Sequence, residues 1–356
     1  MNILLVLIGI LLFEILIISH EWGHFVTAKT FGVKVNEFAL GMGPKIFSVQ
    51  KGETNFSIRI LPFGGFCAME GEDEASGNPR AFNNIKPWKR MIVLAAGATM
   101  NLIFGFILTL IITAQNSSFV STTISGFAEN SVSQACGLQE GDEILKVNGT
   151  RIFTPKDISF TILTSDQGSF NFKVRRNGEK TEIKNIEFEK VEKEDGTKAI
   201  KIDFKLSKTP KSFLTVIKEA FLDMISTVQI TFLSFLGMIT GKFSLKEISG
   251  PVGMVSMMGA ATSKGLEVSV WAGINNLVSI VALIAINLGV MNLLPFPALD
   301  GGRIVFALFE QLTGKKISEK YEGMIHTIGF MLLLLLIAFI TFNDITRVFA
   351  QLFNRG

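Results

Sequence analysis

Two of the chain's three histidines stand four residues apart in His20-Glu21-Trp22-Gly23-His24. In a helix, residues i and i+4 share a face, so both imidazoles can reach one metal ion with Glu21 beside them. Zinc suits that donor set. With an open position it lowers the pKa of a bound water to about 7, and Glu21 is then placed to take the water's proton and return it to a leaving amine. Charged groups inside a membrane segment cost about 2.5–3.5 kcal/mol each on insertion scales, so chance drift does not favour such a cluster there. A catalytic zinc needs a third protein ligand, and Asp300 is the candidate. It closes the run Asn292-Leu293-Leu294-Pro295-Phe296-Pro297-Ala298-Leu299-Asp300, where two prolines force the chain out of helix. The plain alternative for Asp300 is a turn residue ahead of Gly301-Gly302.

The elements that must position these groups are apolar. The 356 residues are 48% hydrophobic and 18% charged, with a mean hydropathy of +0.42, which points to an integral membrane protein. The net charge of +3 is spread along the chain and makes no case for nucleic acid. Two cysteines outside any C-x-x-C pair argue against a disulfide framework and against redox chemistry.

Four windows read as membrane helices: Ile3 to Ile18, interrupted by Glu14, then Met91 to Ala114, Val268 to Leu294 and Met324 to Phe342. The first lacks a basic start and a small-residue cleavage site, so it reads as a retained helix. Phe213 to Thr240 is apolar but carries Lys218, Glu219 and Asp223, and is expected to lie on the membrane surface. The polar block 116–208, with strand-like alternation, reads as a domain inserted between an N-terminal membrane half (1–115) and a C-terminal one (268–356), with 209–267 as the surface helical region. Lys and Arg number nine in Phe25–Arg90 and four in Arg303–Gly323, so both loops are expected in the cytoplasm and the inserted domain outside. That parity brings Asp300 to the same membrane depth as His20 and His24.

Together these runs resemble the site-2 protease family of intramembrane zinc metalloproteases, of the bacterial RseP/RasP type, over nearly the whole chain. The resemblance implies an α-helical polytopic protein of the bacterial cell membrane, with about four transmembrane helices. It implies zinc ligands at His20, His24 and Asp300, a catalytic base at Glu21, and a substrate-holding asparagine at Asn292. It also implies a membrane-associated β-hairpin at about 33–67. Gly41-Met42-Gly43-Pro44 and Leu61-Pro62-Phe63-Gly64-Gly65-Phe66 match its two runs, and Gly64 and Gly65 would face substrate. Such a hairpin offers a strand edge to an unwound transmembrane segment.

In the inserted block, Gly137-Leu138-Gln139-Glu140-Gly141-Asp142 and Val147-Asn148-Gly149 resemble a bacterial PDZ signature. The α+β domain so implied would bind a chain terminus or act as a size filter; no clear carboxylate-binding loop is visible, which favours the filter. Gly97-Ala98-Thr99-Met100-Asn101 is similar to a further family run, with Ala98 in place of proline, and Asn101 is expected to pack the bundle. His326 is expected to be an interface histidine and not a ligand. Glu14, one heptad before Glu21, lies about 10 Å further along the same face, as a packed carboxylate or a gate. The expected partners are single-span membrane proteins, an anti-sigma factor or remnant signal peptides, and the lipid bilayer. The oligomeric state is not readable. The competing reading from another class is a non-catalytic PDZ membrane scaffold with a retained metal site, against which the intact Glu21 weighs.

Overall fold

The computed structural model describes residues 3–72, 76–165, 168–192, 198–243 and 250–353. In chain order its elements are α1 (Ile3–Thr30), β1 (Val35–Lys51), β2 (Thr54–Met69), α2 (Pro87–Thr113), β3 (Ser118–Phe127), α3 (Val132–Ala135), β4 (Glu143–Val147), β5 (Thr150–Arg151), α4 (Pro155–Leu163), β6 (Phe170–Arg176), β7 (Glu179–Ile186), β8 (Lys190–Glu192), β9 (Lys198–Ile200), β10 (Phe204–Pro210), α5 (Phe213–Ile239), α6 (Pro251–Val268), α7 (Val270–Asn292), α8 (Asp300–Thr313) and α9 (Glu319–Phe353). They form two compact units, Met1–Leu108 with Ser234–Gly356, and Thr109–Leu233.

In the first unit, α1 runs unbroken from the apolar window through His24 and stops at Gly32, whose φ of +81° lets the chain leave the helix. β1 and β2 then depart from a simple hairpin. Residues 45–51 pair with 54–59 across the turn at Gly52 and Glu53, but residues 37–40 pair both with 55–58 and with 65–68, so that Phe38 lies opposite Phe56 and Cys67. The segments thus lie in the order 45–51, 54–59, 35–42, 65–69. Positive φ at Gly41, Gly43 and Gly64 permits the two reversals that double each strand back. This small sheet packs Phe38, Cys67 and Met69 with Ala28 of α1 and Val93 and Leu94 of α2. Further along the bundle, Leu108 of α2 packs on Val281 and Ala282 of α7.

The sheet's turn is tied to the end of α1 and to the following loop. Lys29 Nζ lies 2.5 Å from Glu53 Oε1, and the Arg80 guanidinium donates two bonds of 2.7 Å to the same carboxylate. Arg80, joined by Lys29, holds the Glu53 carboxyl down at about 2. A depressed carboxyl contributes its stabilisation fully above its ordinary pKa of about 4.3 and loses it as pH falls through the folded value. Hydrogen-exchange protection around residues 50–55, relative to the intrinsic rate at each pH, is therefore expected to stay constant from pH 7 to about 5 and to fall towards pH 2. Arg80→Gln should move that onset upward; an unchanged onset would show that the fork does not hold the turn.

Among the described residues, five helices are long and apolar enough to cross a membrane, by length and composition: α1 over Leu7–Thr30, α2, α5, α7 and, in α9, Lys320–Thr346. The sequence had suggested about four, with Phe213–Thr240 on the surface. α5 also qualifies because its charges, Lys218, Glu219 and Asp223, all fall before Met224.

The second unit carries a six-stranded sheet in the order β10-β3-β4-β6-β7, with β5 paired to β4. Phe170, Phe172, Ile144, Ile158 and Ile162 are fully buried at its centre. Asn148-Gly149 and Asn177-Gly178, all at positive φ, make the tight turns from β4 to β5 and from β6 to β7. Arg176 grips the buried Asp142 with two bonds of 2.8 Å and donates to Gly137 O, which pins the Gly137–Asp142 turn. Asp157 on α4 is likewise buried. It accepts from the Phe153 and Thr154 amides and from Ser226 Oγ of α5 at 2.7–2.8 Å, and Ala220 of α5 is buried as well. The first half of α5 is thus docked within this unit. Asp157→Ala strands two buried amides and a hydroxyl, and is expected to cost about 3 kcal/mol. Faster hydrogen exchange across β3–β10 in the full chain would register that loss, and unchanged exchange would contradict it.

Candidate metal centre and active site

The imidazoles of α1 meet as their spacing requires. His20 Nε2 and His24 Nε2 lie 3.1 Å apart, and Asp300 Oδ2 lies 3.4 Å from the first and 3.5 Å from the second. Donors about 2.0–2.1 Å from a tetrahedral zinc stand about 3.4 Å from one another, so these three fit one ion and leave a fourth position open. Among the described residues this is the group of His, Cys, Asp or Glu that could hold a metal.

Each donor is held from outside the cluster. His24, 7% exposed, donates from Nδ1 to Val93 O on α2 at 2.8 Å, which leaves Nε2 free of a proton. His20 Nδ1 faces the Asn101 carboxamide at 3.3 Å. Asn101, expected to pack the bundle, is buried in α2 and also sits against His20, where Gly97 one turn earlier lets the rings approach. A Cβ at Gly97 would fall on His24 Nε2, and at 2.7 Å from His20 Cε1.

Asp300 opens α8 after the double-proline turn. Ala298, with φ +79°, holds a left-handed conformation unusual for a non-glycine residue, and its N–H donates to His326 Nδ1 at 2.9 Å. His326 is therefore no ligand but a fastener of the loop that presents Asp300.

A cavity of ≈ 480 Å³ opens on the cluster. Glu21 lines it, as do the β2 stretch Phe66–Met69 and the ion pair Arg303–Glu72, whose atoms lie 2.5 Å apart. The Cys67 N–H faces the Glu21 carboxylate. Burial pushes the Cys67 thiol up, and its sulfur is not in the group of converging donor atoms formed by His20, His24 and Asp300. Gly65 passes close beside Glu21: a Cβ there would lie 3.7 Å from Glu21 Cγ and 2.8 Å from Ala39 O. Gly64, with φ +87°, makes the preceding bend, and its peptide N–H reaches Glu14. Asn292 ends α7, and it is not among the residues lining the cavity.

Similarity to known proteins extends along nearly the whole chain. The family model for peptidase family M50 matches residues 8–336. The chain belongs to peptidase family M50. A protein of Clostridium acetobutylicum is 37% identical to it over 354 residues, covering 96% of this chain and 97% of its own length. Zinc metalloprotease RasP of Shouchella clausii is 31% identical, with 98% of this chain and all of the relative covered. The regulator of sigma-W protease RasP of Bacillus subtilis is 27% identical over 96% of this chain and 98% of its own. This M50 peptidase is thus a bacterial membrane zinc metalloprotease of the site-2 type, and the scaffold reading falls away.

Sequence reasoning placed Gly97 in a family run without giving it a role, and did not reach Glu72, Arg303 or the fastening role of His326. Of these only Gly97 left a signal, in its four-residue spacing to Asn101.

Proposed function

We propose that this peptidase cuts single-span membrane proteins within or near their transmembrane helix, using His20, His24 and Asp300 as zinc ligands and Glu21 as the base. The observation that carries this reading is the spacing of the three donors at 3.1–3.5 Å in a cavity that Glu21 and the β2 stretch Phe66–Met69 share. Zinc held there supplies the Lewis acidity that polarises a scissile carbonyl and lowers the pKa of water. Glu21 takes the proton of the attacking water and passes it to the leaving amine. A transmembrane helix hides its peptide bonds, so the substrate must unwind first. Residues 65–69 end the small sheet, and their outer edge can hold the unwound segment by strand addition, with Gly64 and Gly65 keeping that edge free of side chains. Asn292 is assigned to hold the substrate backbone from the end of α7.

In this reading the cluster lies near the cytoplasmic face, α5 lies at the membrane surface, and residues 116–208 form a PDZ-like domain outside the cell. The kinship with a regulator of sigma-W protease suggests an anti-sigma factor as substrate, and remnant signal peptides are the other class. The unwinding step is testable. In vesicles, a substrate span carrying Gly or Pro near the cut is expected to be cleaved about tenfold or more faster than an all-leucine span, because each breaker lowers the cost of opening the helix. Equal rates would remove strand addition from the account.

A further inference from the structure

We propose that Asn101 is a positioning residue of the metal site: its side-chain carbonyl accepts the Nδ1 proton of His20 and thereby aims His20 Nε2 at the ion. The inference rests on His20, His24 and Asp300 being the ligands. An imidazole that binds a metal through Nε2 carries its proton on Nδ1, and that proton needs an acceptor. For His24 the acceptor is fixed in the backbone, Val93 O at 2.8 Å. For His20 the group in reach is the Asn101 carboxamide at 3.3 Å.

Two further observations single out the carbonyl end of that amide. Asn101 is only 2% exposed, and its Oδ1 is buried without a hydrogen-bond partner. The amide as placed turns Nδ2 towards His20 Nδ1. For that pair to bond, Nδ1 must be bare and the proton must sit on Nε2, against His24 Nε2 and Asp300, where no metal could then bind. The oxygen and nitrogen of a carboxamide are assigned from their hydrogen bonds. A half-turn of the amide gives Oδ1 the Nδ1 proton, ends its isolation, and leaves Nε2 for the ion. Gly97 and Asn101 stand one turn apart on α2, so one helix face both admits the two rings and orients one of them. A helix-packing amide would do neither.

The test uses the full-length protein in detergent, with zinc affinity measured by competition against a chromophoric chelator and the visible spectrum of the cobalt-loaded form as a second readout. Asn101→Leu, which removes the acceptor at similar volume, is expected to weaken zinc binding by roughly 10–100-fold. Asn101→Asp keeps an acceptor facing Nδ1 and is expected to hold zinc within about threefold of wild type, with its cobalt spectrum retained. Zinc affinity unchanged in the Leu variant, or lost as far in Asp as in Leu, overturns the proposal. Should the Leu variant not fold, the Asp variant decides alone: a loss of tenfold or more contradicts an acceptor role. His20→Ala separates this inference from the reading beneath it. If His20→Ala loses zinc while Asn101→Leu does not, only the role of Asn101 fails; if neither does, the ligand assignment fails too.

Discussion

Asp300→Ala is expected to strip the protein of zinc and reduce proteolysis to background. The carboxylate stands 3.4 and 3.5 Å from the two imidazole nitrogens and brings the cluster's formal negative charge. Glu21, Cys67 and Glu72 line the same cavity, but among the described residues the donor atoms that converge are those of His20, His24 and Asp300. The preceding loop is fastened by the bond from Ala298 N–H to His326, and Gly301 packs so close to the Leu293 carbonyl that a Cβ there would lie 2.5 Å from it. Loss of a direct ligand should exceed the roughly 10–100-fold fall in affinity typical of outer hydrogen-bond partners. Metal analysis after dialysis against a weak chelator reads this directly. Stoichiometric zinc in the Ala variant would mean that the third ligand lies elsewhere.

Gly97→Ala should be nearly as damaging, although the residue carries no functional group. Its added methyl would land on the His24 ring edge and 2.7 Å from His20 Cε1. The helices have no slack to absorb it, because Gly23 of α1 already stands against the Ala96 carbonyl of α2, at 2.5 Å from where a Cβ would be. Overpacking of this kind costs about 1–3 kcal/mol. A shift of about 1 Å at reacting groups can cost about 10²-fold in rate. Proteolysis is thus expected to fall by about 10²-fold or more, with weaker zinc binding, while Thr99→Ala on the exposed side of the same turn should be silent. Wild-type rates in Gly97→Ala would show that the rings are not confined by α2.

Much of this site was legible because its chemistry is local. The spacing from His20 to His24 is a property of one helix, and Asp300 could be matched to it through the charge parity of the loops. The apolar windows translated into α1, α2, α7 and α9 for the same reason: length and composition decide them. What was not legible depends on packing between elements distant in sequence. The doubling back of β1 and β2 needs the left-handed glycines together with a partner for both edges of residues 37–40, and no alternation pattern encodes a strand that serves two neighbours. The carboxamide of Asn101 and the ring of His326 looked like packing residues because their partners, His20 and Ala298, lie 81 and 28 residues away. For α5 the signals conflict: its early charges favour the membrane surface, while the uncharged remainder is long enough to span.

What is proposed is the hydrolysis of a peptide bond inside a transmembrane segment by Glu21 and a zinc site embedded among membrane helices. It is tested most directly by co-expressing a single-span substrate with wild type or Glu21→Gln and reading the product termini by mass spectrometry, with zinc content measured in both. Termini inside the apolar span are expected for wild type. For the Gln variant, full zinc occupancy and a loss of about 10²–10⁴-fold in cleavage are expected, the usual contribution of a general base. Cleavage that survives in Glu21→Gln, or termini that fall only outside the span, would contradict it.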